Sequence, residues 1–469
     1  MDPDSRYDVI VIGTGPGGTT AALEAAYAGK RVAAIERKEH LGGFTIHKGT
    51  IANTLLRQAI LNHVAAVSNR SSRERSKAFD FAALLAQIER VTALESQATS
   101  WKLGRNGVTL IYGQATFVDP HTIIVTSDFD TQYLTAPCFV IATGSRPARL
   151  PDVPYDGRTI LDSDEVVSLP EAPESMVVVG GGVIGFEYAN MFGLLGVPTT
   201  LIDRHDTLLP FVDREIMEML LESLQELQVQ LRLGHHVHTI TSHGAGTRCV
   251  HLVNGESIAG QVVLVCIGRQ GNTGSLKLTQ AGVEVTEDGF IKHDGLFQTS
   301  MPHIYAVGDV VGHPALASTS MWQARCAIRR ILGQEIPHPN PLIPYALYTI
   351  PEVGMVGAIE ETLQRDGRSY QVGRARFYDT KMGQILENNH GLLKLIFDPD
   401  SERILGVHAV GSAAAEVIHI GQIVMALGGT LTDLAEAVFN YPTLAECYRQ
   451  AALNGLRKLA RMGKGSRRT

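Results

Sequence analysis

YDVIVIGTGPGGTTAALEAAYAGKRVAAIER, residues 7–37, opens on an apolar run of one strand's length, breaks on glycine, continues through an alanine-rich stretch and ends on a second apolar run closed by Glu36. An apolar run this short, without polar alternation, suits a parallel strand covered on both faces, and the alanine-rich stretch suits a helix lying on it. The glycines divide the work. Gly13 permits the tight turn, Gly15 lets a pyrophosphate approach the backbone at the helix N-terminus, and Gly18 lets helix and strand pack closely. Glu36 follows Gly13 by 23 residues, where a carboxylate takes ribose hydroxyls. The stretch predicts a βαβ dinucleotide-binding unit.

The unit occurs twice. SMVVVGGGVIGFEYANMFGLLGVPTTLIDR, residues 175–204, repeats the strand, the glycine turn (Gly180, Gly182, Gly185), the helix and the second strand, and Asp203 stands at the same offset as Glu36. An acid there favours the free 2′-hydroxyl of NAD(H), whereas the neighbouring Arg204 offers a guanidinium to the 2′-phosphate of NADP(H), so both coenzymes stay open. Two such units in one chain predict two nucleotides, one held and one exchanging.

The rest of the chain arranges itself around this repeat. Residues 60–104 are charged around SNRSSRERSK and then helical in spacing, a helical excursion on the first unit. VTLIYGQATFVD and TIIVTS read as an antiparallel meander, and residues 228–268 as further short strands. Proline-rich passages at 147–154 and 338–344 mark boundaries. Beyond the second lie the strands LLKLIF and ILGVHAVG and the helical stretches AAAEVIHIGQIVMALGG and TLAECYRQAALNGLRKLA. The fold class expected is α/β, with two Rossmann-like dinucleotide-binding domains and a C-terminal α+β domain.

Composition narrows the function. A net charge of −7 gives no electrostatic reason to expect nucleic acid. The apolar runs stop well short of the roughly 18 residues a membrane span needs, and the acidic start MDPDSRYDVIVIG is no secretory signal, so a cytoplasmic protein is expected. Its five cysteines, Cys138, Cys249, Cys266, Cys326 and Cys447, have no CxxC spacing; they read as small core residues, with no disulfide framework and no metal site expected. The basic end, from Arg457 through Arg461 and Lys464 to Arg467 and Arg468, reads either as a frayed solvated terminus or as a contact for an anionic surface.

Two further motifs complete the pattern. ATG at 142–144, with Thr143 and Gly144, and YAVGDVVG at 305–312, with Asp309 after Gly308, resemble the second and third FAD contacts of the flavoproteins with two dinucleotide-binding domains. In motif order the whole chain resembles the pyridine nucleotide-disulfide oxidoreductase family. FNYPTLAECYRQAALNGL, HIGQ at 419–422, YTIPE at 348–352 and GRQGNT at 268–273 narrow the resemblance to its soluble pyridine nucleotide transhydrogenases. The resemblance implies an FAD-binding domain at 1–150 completed by 270–336, an NAD(P)-binding domain at 151–269, and a dimerisation domain at 337–469 through which the chain forms a homodimer. It adds Arg37, Gly43, Thr45, Gly268 and Ala317 to the cofactor contacts. It also makes Tyr441 and Glu446 the counterparts of the family's interfacial His and Glu.

Departures from the family decide the chemistry. The redox-active cysteines fall on Thr45 and Thr50, which form neither a thiolate nor a disulfide, so disulfide reduction is excluded. The family lysine falls on Thr54, which leaves its partner Glu187 either with a raised pKa or with another partner. Phe44, Ala52 and Asn53 replace further pattern positions, and His47 stands where it would donate a hydrogen bond to a flavin carbonyl, relay a proton, or serve structure alone. The expected function is FAD-dependent NAD(P)H oxidation in the manner of a transhydrogenase. The alternatives are an NAD(P)H:quinone or dye reductase and a flavin-binding redox sensor without turnover.

Overall fold

The computed structural model describes residues 6–243, 247–336, 342–387 and 390–465. By their contacts they form two compact units, one of residues 1–66, 77–172 and 265–340, the other of 67–76, 173–264 and 341–469. The first unit opens as its sequence dictates. β1 (Val9–Ile12) is buried along its whole length, and α1 (Pro16–Tyr27) starts on a proline whose missing N–H costs nothing in a first turn. β2 (Val32–Glu36) pairs parallel with β1, Val32 opposite Val9. Then come three helices, α2 (Gly43–His47), α3 (Thr50–Ala66) and α4 (Phe81–Arg105), and two parallel strands, β3 (Thr109–Tyr112) and β4 (Cys138–Ile141).

The second unit repeats the motif with β5 (Met176–Val179), α5 (Val183–Leu195) and β6 (Thr199–Ile202), Met176 opposite Thr199, then β7 (Gln230–Arg232) and β8 (Val262–Val265) in the order β7-β6-β5-β8. Returning to the first unit, β9 (Ile304–Ala306) completes a five-stranded parallel sheet, β9-β4-β1-β2-β3, and α6 (Ala317–Ile331) follows. The lack of alternation in β1 now has its cause. Val9 and Val11 face a core shared with alanines of α1 and with Ala324, Ala327 and Ile328 of α6, while Ile10 and Ile12 face Phe117, Ile123 and Phe139 on the other side.

The meander is present as the antiparallel strands Gln114–Asp119, Thr122–Thr126 and Thr131–Thr135, but VTLIY, expected to begin it, instead pairs parallel with β2 as β3. The charged stretch is itself helical over Ser72–Ala78, and Ser71 and Glu74 bond to each other across its first turn. Ser-x-x-Glu is a capping signature that the charge of the segment obscures. Proline-rich residues 338–341 lie outside the described residues, as do Arg467 and Arg468.

The C-terminal part of the second unit is an antiparallel sheet of β10 (Tyr345–Leu347), β11 (Val353–Gly357), β12 (Gln371–Arg376), β13 (Leu392–Phe397) and β14 (Ile404–Val410), ordered β10-β11-β14-β13-β12, with helices α7 (Ala414–Ala426) and α8 (Glu446–Gly465). The basic end does not fray at its start. It continues α8, and Lys458 Nζ donates to the Val372 carbonyl at 2.7 Å.

Lys394, in the middle of β13, is 1% exposed. Its Nζ lies 2.7 Å from Asp213 Oδ1, 3.0 Å from Glu215 Oε2 and in contact with Glu360, while Arg374 Nε bonds both Glu215 oxygens at 2.7 and 2.9 Å. Burial works to raise the Glu215 carboxyl, but Arg374 and Lys394 outweigh it and hold the group below the usual carboxylate range. That contribution to stability is therefore present above the unfolded pKa of about 4.3 and is lost as pH falls through the depressed folded value. Lys394→Met removes the cation and leaves Asp213 buried with an uncompensated charge. We expect a loss of about 3–5 kcal/mol, read in denaturant unfolding at neutral pH; an unchanged midpoint would refute this account of the cluster.

Candidate active site

The glycine turn places the N-terminus of α1 on a groove of the first unit. Gly13 takes φ 103°, a conformation closed to most L side chains, and Gly15 caps the helix. Both line the groove, along with Glu36 and Arg37 at the end of β2, Gly43, Thr45 and His47 of α2, Thr143 and Gly144 after β4, and Gly308 and Asp309 after β9. The groove is open to solvent along its length and encloses about 180 Å³. Gly18 lies outside the lining and beneath it, since a Cβ there would strike the Gly13 carbonyl. Ala317 begins α6 outside the lining, which that helix reaches through Ser320, and Gly268 is exposed in the segment after β8.

Donors converge on the buried Glu36. Oε2 accepts from Thr14 N at 3.2 Å and Thr14 Oγ1 at 2.6 Å, and Oε1 accepts from Lys38 N at 3.0 Å. At the Asp309 end, Ser145 Oγ donates to Asp309 Oδ2 at 3.1 Å and accepts from Arg269 Nε at 2.7 Å. Arg269 also bonds Asp164 at 3.2 Å and lies 4.2 Å over the Phe44 ring, a cation–π contact. Burial pushes the Asp164 carboxyl up in spite of Arg269. GRQGNT gives no sign of this network, because the partners of Arg269 lie more than 100 residues away in sequence.

One lining atom is unpaired. The Thr143 hydroxyl is buried with no hydrogen-bond partner, although buried polar atoms are ordinarily satisfied. An acceptor or donor brought by a ligand would satisfy it. The groove's amide-rich glycine turn, its buried acid at one end and its aspartate at the other suit a dinucleotide. His47 Nε2 donates to the Leu41 carbonyl at 2.8 Å, which fixes the ring and leaves Nδ1 as an acceptor in the neutral form. Thr45 is half-buried in the lining, whereas Thr50 and Thr54 are exposed. All five cysteines are free thiols; none lines the groove, and burial pushes Cys447 up to about 12.

The second unit builds the same turn. Gly180 takes φ 105°, Gly182 caps α5, and a Cβ on Gly185 would strike the Gly180 carbonyl. Asp203 is largely buried at its carboxylate and Arg204 beside it is exposed. Of the two outcomes expected for Glu187, the structure shows the second. Its carboxylate accepts from the Tyr348 amide at 2.7 Å, and Tyr345, pushed up to about 12 by burial and by the Glu187 charge, lies nearby. One helical turn on, Asn190 exchanges hydrogen bonds with both backbone groups of Ile350. EYAN inside an apolar helix carried the signal, two polar residues three apart on one face. Tyr441 is exposed, and Glu446 is half-buried at the start of α8.

Two family models match the chain: pyridine nucleotide-disulphide oxidoreductase over residues 7–324, and the dimerisation domain of the same family over 343–452. The chain is 42% identical over 460 residues to the soluble pyridine nucleotide transhydrogenase of Mycobacterium bovis, covering 97% of this chain and 98% of that one. It is 39% identical over 466 residues to the protein of that name from Colwellia psychrerythraea, covering 98% and 100%. Among solved structures it is similar to LpdA from Mycobacterium tuberculosis, with TM-score 0.88, 26% identity and coverage of 95% and 99%. It is similar also to the HOCl-induced flavoprotein disulfide reductase RclA from Escherichia coli as a Cu(II) complex, with TM-score 0.86, 27% identity and coverage of 96% and 99%.

Thr143→Val separates a ligand contact from a packing role. Replacing an unsatisfied hydroxyl by an apolar isostere should leave the melting temperature of the flavin-free protein unchanged or slightly raised, while FAD affinity falls by about three- to tenfold. Unchanged FAD affinity in a titration would remove the hydroxyl from the binding site.

Proposed function

The chain belongs to the pyridine nucleotide-disulphide oxidoreductase family, and from that premise we propose that it is an FAD-dependent NAD(P)H oxidoreductase acting as a soluble pyridine nucleotide transhydrogenase in the cytoplasm. The observation that carries this reading is the pairing of two dinucleotide folds with a groove that has lost both thiols. FAD, when bound, supplies the hydride-accepting and hydride-donating chemistry.

Everything else falls to the chain. In the first unit, Gly13 and Gly15 would present amides to the pyrophosphate, Glu36 and Arg37 would meet the adenosine end, and Thr143, Gly144 and Asp309 would hold the ribityl side, with Arg269 and Ser145 fixing Asp309. In the second unit, Gly180, Gly182 and Asp203 would hold the exchanging nicotinamide nucleotide, Arg204 standing beside its ribose. Glu187, oriented by the Tyr348 amide, would position the nicotinamide ring without help from a lysine. His47 would keep one face of the groove polar, while Phe44 and its Arg269 partner cover α2 where a thiol would otherwise stand.

The same reading makes the protein a homodimer through residues of the dimerisation domain, with Tyr441 and Glu446 contributed at the interface. Exposed apolar side chains support it. Ile423, Leu427, Val438 and Tyr441, all within the matched dimerisation domain, are 58%, 82%, 99% and 62% exposed. Leu427→Asp combined with Val438→Asp should shift the protein from dimer to monomer in light scattering; a dimer that survives both changes would place the interface elsewhere.

The decisive experiment uses the oxidised acceptor. Protein reduced anaerobically by NADPH and then mixed with NAD+ should recover its oxidised visible spectrum, with parallel-line ping-pong kinetics in steady state. A spectrum that stays reduced with NAD+ but recovers with a quinone would replace this function by quinone reduction, for which the apolar Phe44 gives the one structural motive.

A further inference from the structure

The second unit carries a depression of about 600 Å³, open to solvent, that contains no residue of either dinucleotide-binding turn; Glu360, Gly367, Arg368, Ser369, Arg374 and Lys458 are among the residues that line it. Three segments build it. The helix Glu360–Arg365 ends at Gly367, whose φ of 64° reverses the chain, with Gly367 N donating to the Gln364 carbonyl at 3.1 Å and Arg368 N to the Leu363 carbonyl at 2.9 Å. The chain then enters β12, which supplies Arg374, and α8 lies against β12 and supplies Lys458.

Its charges do not balance. Three cations meet one carboxylate, Glu360, and that carboxylate is already in contact with the buried Lys394. Arg374 is neutralised from behind, its Nε bonded to both Glu215 oxygens at 2.7 and 2.9 Å and its Nη2 3.8 Å from Glu360. The other two cations have no such support. Among the described residues neither Arg368 nor Lys458 has a carboxylate oxygen within 4.0 Å, and Lys458 Nζ donates instead to a neutral acceptor, the Val372 carbonyl, at 2.7 Å. Burial and the Arg374 charge hold the Lys458 ammonium below the usual lysine range, outweighing Glu215 and Glu360, as befits a cation short of a counter-ion.

We propose that this depression binds a phosphate group, carried by orthophosphate or by the end of a phosphate monoester. The two uncompensated positive charges match the roughly two negative charges of a phosphate group at neutral pH, whereas a single carboxylate would leave one of them unmatched. The donors match as well. Arg368 offers a planar fork, Lys458 offers the N–H groups that Val372 does not take, and the Ser369 hydroxyl adds a donor from the turn. An anion there also serves the buried cluster, because it relieves the repulsion between Lys458 and Arg374, the residue that holds Glu215 beside Lys394.

The test reads the site locally. FAD-loaded full-length protein is acetylated briefly while inorganic phosphate replaces chloride at constant ionic strength, and the labelling of each lysine is measured by mass spectrometry. At about four times the half-maximal phosphate concentration, labelling of Lys458 should fall about fivefold, the share of sites left empty by mass action, while the exposed Lys102 and Lys277 are labelled as before. Arg368→Gln, at an exposed position, should raise the half-maximal concentration about tenfold through the loss of a charge-assisted hydrogen bond. Glycerol 3-phosphate is the second probe. Protection at a lower concentration than phosphate assigns the site to monoesters, and protection only at an equal or higher one assigns it to the free anion. Labelling of Lys458 that tracks Lys102 and Lys277 at every phosphate concentration overturns the proposal, and so does a half-maximal concentration that Arg368→Gln leaves unchanged.

Discussion

The carbonyl oxygen of Gly13 occupies the space that a Cβ on Gly18 would need, and Gly180 and Gly185 repeat the clash. Every part of the candidate site follows from that close approach. It brings α1 down onto β1 and fixes the exit angle of the chain after the strand. The amides of the first helical turn then sit at the mouth of the groove, where an anionic group meets both unpaired N–H groups and the positive end of the helix dipole. A side chain larger than hydrogen at either position would separate strand from helix and tilt those amides away, so binding and packing are here one constraint.

A second constraint grows from the first. With the turn set, the last residue of the next strand lies beside the glycine loop, and an acid there reaches back to the loop amide: Glu36 to Thr14 N, Asp203 to Gly181 N. The carboxylate proposed to meet a ribose therefore also closes its own loop. This dual use explains why the two sites look alike in backbone and differ in the remaining donors, a hydroxyl and an amide in one, an amide and the His205 imidazole in the other. The differences between the two loops are confined to side chains that the fold does not need.

How much of this was legible in sequence depends on how far apart the partners lie. The βαβ units were readable because their determinants are local: apolar runs of strand length, glycines at fixed offsets, an acid 23 residues on. The long helix α4 was readable from its spacing. Lys394 was not, because LLKLIF gives no sign that Asp213, Glu215 and Glu360 will surround the lysine from segments distant in the chain. Arg269 stayed silent for the same reason. Local patterns report secondary structure and turns, but the compensation of a buried charge is settled only by tertiary contact. The short helix at Ser72–Ala78 falls inside the expected helical excursion, and its cap, Ser71 with Glu74, is local in sequence.

The substitutions at Thr45, Thr50 and Thr54 gain a different meaning in this light. A site that had merely decayed would leave its former partners unsatisfied, because a buried carboxylate or guanidinium without a partner is costly. Instead Glu187 is hydrogen-bonded by the Tyr348 amide, and Asn190 on the same helix face pairs with Ile350. In the first unit Phe44 lies under the Arg269 guanidinium, which in turn is bonded to Asp164 and Ser145. Within each unit these polar groups are satisfied, which is not what decay of a site leaves behind. The Thr143 hydroxyl, a buried lining atom left without a partner, lies where a ligand would supply it.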